Sequence, residues 1–128
     1  MNITIDIRQA REPIAVMHLQ GDIDASNFVQ VVDKAREIYQ NPARNLVIDL
    51  SEVPNITATG LVAIHKIALL YSGVPEEQVH PDLTHSSNAR KYVKLLSPQP
   101  AVDEALTTAG LKLFFKVFHD LESALNSF

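Results

Sequence analysis

The sequence contains no cysteine. That excludes disulfide frameworks, cysteine nucleophiles and thiolate-bound zinc or iron–sulfur centres, and it suits a reducing compartment. Tryptophan is also absent, and the aromatic residues are five Phe and three Tyr, so any core must be built mainly from Val, Ile, Leu and Ala. Basic runs are missing: 11 Lys and Arg are scattered among 15 Asp and Glu, for a net charge of -4. Nucleic-acid binders normally carry a basic stripe, so DNA and RNA are not expected as partners. Apolar runs are short. The longest, Ile67-Ala68-Leu69-Leu70-Tyr71, falls far below the length that crosses a bilayer, so no membrane partner is expected. The stretch Met1 to Asp6 has neither a basic region nor an apolar one, so no signal peptide is expected and the location is predicted to be cytoplasmic.

What is present is ordinary for a globular chain. Of 128 residues, 46% are hydrophobic and 20% charged, and a chain of this length buries enough surface to support its own core. One domain spanning 1–128 is expected. Ile3, Ile5 and Ile7 alternate with polar residues as in a half-buried strand, and Ile14 to Leu19 resumes as a second, giving a hairpin. Gly21 to Asp24 turns the chain into a helix over about Ser26–Tyr39, capped by Asp24 or Ser26, with Phe28, Val31, Val32, Ala35, Ile38 and Tyr39 inward. Leu46 to Leu50 is nearly continuously apolar, as a central parallel strand covered on both faces should be.

A second helix is predicted over Ala58–Tyr71, with Leu61, Ile64, Ala68 and Tyr71 as its inner stripe. The polar stretch 72–89 reads as a surface insertion. Tyr92 to Leu96 is a fourth strand. A helix over Ala101–Ala109 follows, with Val102, Ala105, Leu106 and Ala109 inward and Gly110 as a left-handed cap. Leu113 to Phe118 is the last strand, and Asp120 to Phe128 a terminal helix with Leu121, Ala124, Leu125 and Phe128 on one face. The order is ββαβαβαβα, an α/β fold with a mixed sheet of about five strands and four helices.

No catalytic constellation stands out: there is no G-x-G-x-x-G, P-loop, H-E-x-x-H or G-x-S-x-G. No catalytic residue, metal or cofactor is therefore expected. His80, Asp82 and His85 share one loop, but their spacing matches no ligand motif and a polar loop is ordinarily just solvated. His65 reads as a boundary residue, and His18 and His119 carry no partner signal. The segment Ile56-Thr57-Ala58-Thr59-Gly60-Leu61 is more informative. It follows a buried strand and opens a helix, so its N–H groups lack intrahelical acceptors and a phosphate on Thr59 would be electrostatically favoured there. Gly60 is expected to keep the surface low beside the Thr59 hydroxyl. The plainer account is that Thr57 caps the helix and Thr59 is an ordinary first-turn residue.

Four stretches in register resemble the STAS domain, the fold shared by bacterial anti-sigma factor antagonists and the cytoplasmic tails of sulphate transporters. Leu19-Gln20-Gly21-Asp22-Ile23-Asp24 is similar to the family's Gly-Glu-Leu-Asp turn, and Leu46 to Ser51 to its Leu-Val-Leu-Asp-Leu-Ser strand. Thr57-Ala58-Thr59-Gly60-Leu61 sits where the family has Asp-Ser-Ser-Gly-Leu. Val102 to Phe118, with Ala109-Gly110-Leu111, resembles the closing helix–Gly-Leu–strand unit. The resemblance implies a regulatory binding module and not an enzyme. Its partner would be an anti-sigma factor that is also a serine/threonine kinase, its phosphoacceptor Thr59, and its binding surface Asp22, Asp24, Thr57, Ala58, Thr59, Gly60 and the exposed face of the second helix. Thr57 replaces the family Asp and Ala58 the middle Ser. Those departures, with the insertion, support the alternative of a non-phosphorylated STAS scaffold or a small-ligand module for nucleotide or lipid. A homodimer is also left open.

Overall fold

The computed structural model describes residues 1–9, 12–40, 45–71, 92–113 and 115–128. The proposed insertion, with His80, Asp82 and His85, lies outside them. Five strands form one sheet in the order β1-β2-β3-β4-β5. They are β1 (Asn2–Gln9), β2 (Pro13–Gln20), β3 (Asn45–Glu52), β4 (Val93–Leu96) and β5 (Lys116–Phe118). The first pair is antiparallel and the remaining three are parallel, so the sheet is mixed, as expected. Helices α1 (Phe28–Gln40), α2 (Ala58–Tyr71), α3 (Pro100–Thr108) and α4 (Leu121–Asn126) alternate with the parallel strands.

Period-2 alternation sorts the strand side chains into two cores. Ala15, Met17, Leu19, Leu46, Ile48, Leu50, Val93 and Leu95 face α1, α2 and α3 in the larger one. Ile14, Val16, Val47 and Leu96 face α4 in the smaller, where Phe118, Leu121, Leu125 and Phe128 close over them. This two-sided burial explains the unbroken apolar runs of β2 and β3. Helices α1 and α2 are fastened together by the Tyr71 hydroxyl, which donates to the Ala35 carbonyl at 3.0 Å, and by an edge-to-face contact of the Tyr39 and Tyr71 rings. On the smaller side, the Lys94 ammonium stands 5.3 Å over the Phe128 ring, a cation–π contact that helps fix the last turn.

Several expectations are corrected. Ile5 and Ile7 remain 39% and 48% exposed, on the strand at the edge of the sheet. The inner face of α2 is wider than the expected stripe: Ala63 and Ile67 are buried with Ile64, Ala68 and Tyr71, whereas Leu61 is only half-buried. Nearly every residue of α2 is apolar, so periodicity could not pick its inner face. Asp24 and Ser26 do not cap α1. Asp24 accepts from Ser26, and α1 starts only at Phe28. Ala109 is exposed beyond α3. The last strand is half its expected length, because Gly110 (φ 75°) redirects the chain into a 3-10 turn over Leu111–Leu113 that leaves Leu113 exposed and buries Phe115. His18, which carried no partner signal, lies beside Asp49 in the register of β2 and β3. Its Nδ1 lies within hydrogen-bond distance of Asp49 Oδ2, at 2.6 Å.

Candidate functional site

The parallel strands β2 and β3 end together, and the loops leaving them continue the pairing. Gly21 N–H donates to the Glu52 carbonyl at 3.0 Å, Ile23 N–H to Asn55 at 3.2 Å, and Thr57 N–H back to Ile23 at 3.0 Å. Ile23 and Ile56 thereby form a parallel bridge beyond the sheet. Gly21, at φ 113°, supplies the left-handed turn that starts this path and that L side chains resist. Two segments more than thirty residues apart are thus zipped into one ridge at the carboxyl ends of the strands, where α/β folds place their sites.

The first loop is tied internally. Asn27 is buried; its amide donates to the Asp22 carbonyl at 2.7 Å, and its carbonyl oxygen accepts the Asp24 N–H at 3.0 Å. Asp24 Oδ1 accepts the Ser26 hydroxyl at 2.5 Å and the Ser26 N–H at 2.9 Å. The hydroxyl first, and then the N–H, hold this carboxyl below its ordinary value of 3.8, so Asp24 presents a fixed negative charge. Asp22 is exposed beside it.

In the second loop Thr57 caps α2. Its Oγ1 accepts the Gly60 N–H at 3.2 Å, and its hydroxyl points at the Ile23 carbonyl at 3.5 Å. Ala58 and Thr59 are exposed on the first turn, and Gly60 is buried beneath them. Gly60 does not lower the surface. It lets the helix touch the first loop, for a Cβ there would stand 2.4 Å from the Ile23 carbonyl oxygen. The Thr59 hydroxyl has no hydrogen-bond partner among the described residues, in contrast to that of Thr57. Thr59, Val62 and Lys66 follow one another at helical spacing on the exposed face of α2. Lys66 Nζ lies 5.3 Å over the Phe28 ring, which joins this stripe to the start of α1, where Val29 is 65% exposed.

Residues 5–72, more than half of the chain, match the STAS domain family. The chain belongs to that family. No curated protein matches it. Its fold is shared by solved structures of low identity. An anti-sigma factor antagonist from Mycobacterium paratuberculosis superposes with TM-score 0.70 at 20% identity, over 98% of this chain and 93% of its own. A candidate anti-sigma factor antagonist from Thermotoga maritima gives 0.68 at 15%, over 95% and 92%. The Bacillus cell fate determinant SpoIIAA in its phosphorylated form gives 0.57 at 14%, over 96% and 97%.

Within this STAS domain the geometry brings Asp22, Asp24, Thr57, Ala58, Thr59 and Gly60 onto one ridge. It separates them by exposure: Gly60 supports from below, and Thr57 spends its hydroxyl on the cap. Val29 and Val62, two of the exposed large apolar residues, escaped sequence reasoning; for Val62 the reason is that an apolar residue in the mostly apolar α2 carries no mark of exposure. His65 is half-buried on α2, and burial pushes its imidazole below its ordinary value of 6.5. Among the described residues no group of three or more His, Asp or Glu is arranged to hold a metal, and no helix is long and apolar enough to cross a membrane.

Proposed function

We infer that this STAS domain is a regulatory binding module of the anti-sigma factor antagonist kind, acting in the cytoplasm. Its partner is an anti-sigma factor that is also a serine/threonine kinase, and Thr59 is the release switch. One observation carries the reading: of the two hydroxyls at the start of α2, that of Thr57 is engaged in the cap, while that of Thr59 is exposed and unpartnered among the described residues. Solved relatives of the fold include SpoIIAA in unphosphorylated and phosphorylated forms, which supports a switch built on a phosphate.

The unmodified domain would dock through the Asp22–Asp24 loop, the turn at Thr57–Gly60 and the α2 stripe through Val62. The kinase would transfer the γ-phosphoryl group of ATP to Thr59 Oγ1, forming a P–O bond and releasing ADP and the hydroxyl proton. The added charge of about -2 lies near the helix N–H groups of Ala58 and Thr59, so the fold accepts it. At a packed interface the same charge must be desolvated, which opposes binding.

The test is the intact mass of the protein after incubation with ATP and a lysate of its source organism, beside a Thr59→Ala control. One phosphate on the wild type alone is expected, and Thr59→Glu should then abolish binding to the verified partner. If both proteins gain a phosphate, the acceptor lies elsewhere, with Thr57 next. If neither does while the kinase is shown to be active, the switch is lost. The non-phosphorylated scaffold or small-ligand reading then leads, as the Thr57 and Ala58 departures favour, with a thermal-shift screen of nucleotides and lipids to follow.

A further inference from the structure

The outer edge of β1 is the longest unguarded backbone edge among the described residues. All eight residues of β1 pair with β2 in an unbroken register, with no bulge. Because antiparallel strands direct alternate residues' N–H and C=O groups to opposite sides, every second residue of β1 aims its backbone polar groups away from β2. At the other end of the sheet, β5 has only three residues and begins with Lys116, the short, charged edge by which proteins discourage pairing. Strand β1 has neither proline nor lysine, and it carries Ile5 and Ile7 39% and 48% exposed on one face. On its other face Asp6 and Arg8 are each about half exposed and lie 2.9 Å apart.

We propose that β1 is a self-association surface, and that its partner is the β1 strand of a second copy of this chain, paired antiparallel about a two-fold axis at Ile7. The charge pattern selects this register. Residues directly opposite across such an axis must belong to the same alternating set. With Asp6 on the axis, two carboxylates face each other, which is repulsive. With Ile7 on the axis, Asp6 of each copy faces Arg8 of the other, two ion pairs form, and Ile7, the most exposed isoleucine of the strand, meets Ile7 of the other copy on the opposite face. An axis at Ile5 leaves both charges opposite neutral residues. Parallel in-register pairing sets like charge on like charge throughout. The result is a continuous ten-stranded sheet. Ile7 pairs with Ala15, toward the start of β2 and away from the Gly21 turn, so the surface is independent of the Thr59 reading.

Sedimentation of the full chain across a concentration series tests this, using the wild type, Asp6→Arg, Arg8→Asp and the double swap. The wild type should show a concentration-dependent monomer–dimer equilibrium. Each single reversal turns both ion pairs into repulsions and should weaken dimerisation by about tenfold or more. The double swap restores opposite charges at both positions and should recover dimerisation to near the wild-type value. Far-UV circular dichroism should be unchanged in all four, since neither side chain is buried. A wild type that stays monomeric at its highest soluble concentration overturns the proposal. So do single reversals that dimerise as well as the wild type, or a double swap that stays as weak as the singles.

Discussion

Gly60 sits where two distant loops press together, and its missing side chain is the condition for their contact. A Cβ would meet the Ile23 carbonyl oxygen at 2.4 Å and Ile56 Cγ1 at 2.7 Å, and the first of these is backbone, which cannot rotate away. Gly60→Ala should therefore lower stability by about 1–3 kcal/mol through overpacking, of which at most about 1 kcal/mol is returned by alanine's better helix propensity. Urea unfolding reads the loss, and the amide resonances of Ile23 and Thr57 should shift as the ridge opens. An unchanged midpoint would show that the loops do not depend on that contact. The neighbouring threonines illustrate how far single residues were legible. A cap at Thr57 follows from local chemistry alone. The freedom of the Thr59 hydroxyl is evident only once Thr57 is seen to occupy the Gly60 N–H.

At the scale of elements, the inner face of a helix followed the local pattern where the opposite face was polar, as in α1, and drifted where it was not, as in α2. In α1 the charged side named the inner face. In α2 it did not, and Val62 ended up exposed while Ala63 and Ile67 were buried. Helix α4 is short, and six residues hold helical form only with tertiary and capping support. The Asp120 side chain supplies the cap, accepting the Ser123 N–H and hydroxyl, both at 2.8 Å. These two hydrogen bonds, the N–H first, hold the Asp120 carboxyl below its ordinary value of 3.8. A carboxyl depressed by folding contributes stability that is fully present above the unfolded value and is lost as pH falls through the folded one. Asp120→Ala should therefore melt at a lower temperature than the wild type at neutral pH, and the gap should narrow as the pH is taken below about 4. A gap that persists unchanged into acid would mean that the cap does not act through its charge.

The whole molecule is a sheet with one broad core and one narrow one, and burial decides what each strand residue is worth. Ile48 is fully buried in the central strand, so Ile48→Ala should cost about 2–5 kcal/mol, a large share of the roughly 5–15 kcal/mol that holds a domain together. Val62→Ala, on the exposed face of α2, should stay within about 0.5 kcal/mol. Chemical denaturation of both variants checks the contrast, and equal losses would contradict the assigned faces. The same scale explains the pairing of His18 with Asp49, which only the parallel register of β2 and β3 creates.

The amino-acid sequence by itself determined the order of the elements, the mixed sheet, most of the inward residues of α1 (Val31, Val32, Ala35 and Ile38, though not Phe28) and those of α4, and the family, since these rest on short-range periodicity, turn residues and motifs that lie within a few positions of one another. Tertiary structure alone decided that the Gly21 and Thr57 loops zip into one ridge, that Gly60 is a packing contact, and that Ile5 and Ile7 stay 39% and 48% exposed. Alternation states which side a residue faces. Whether another element covers that side depends on contacts between segments far apart in the chain, which no local pattern encodes.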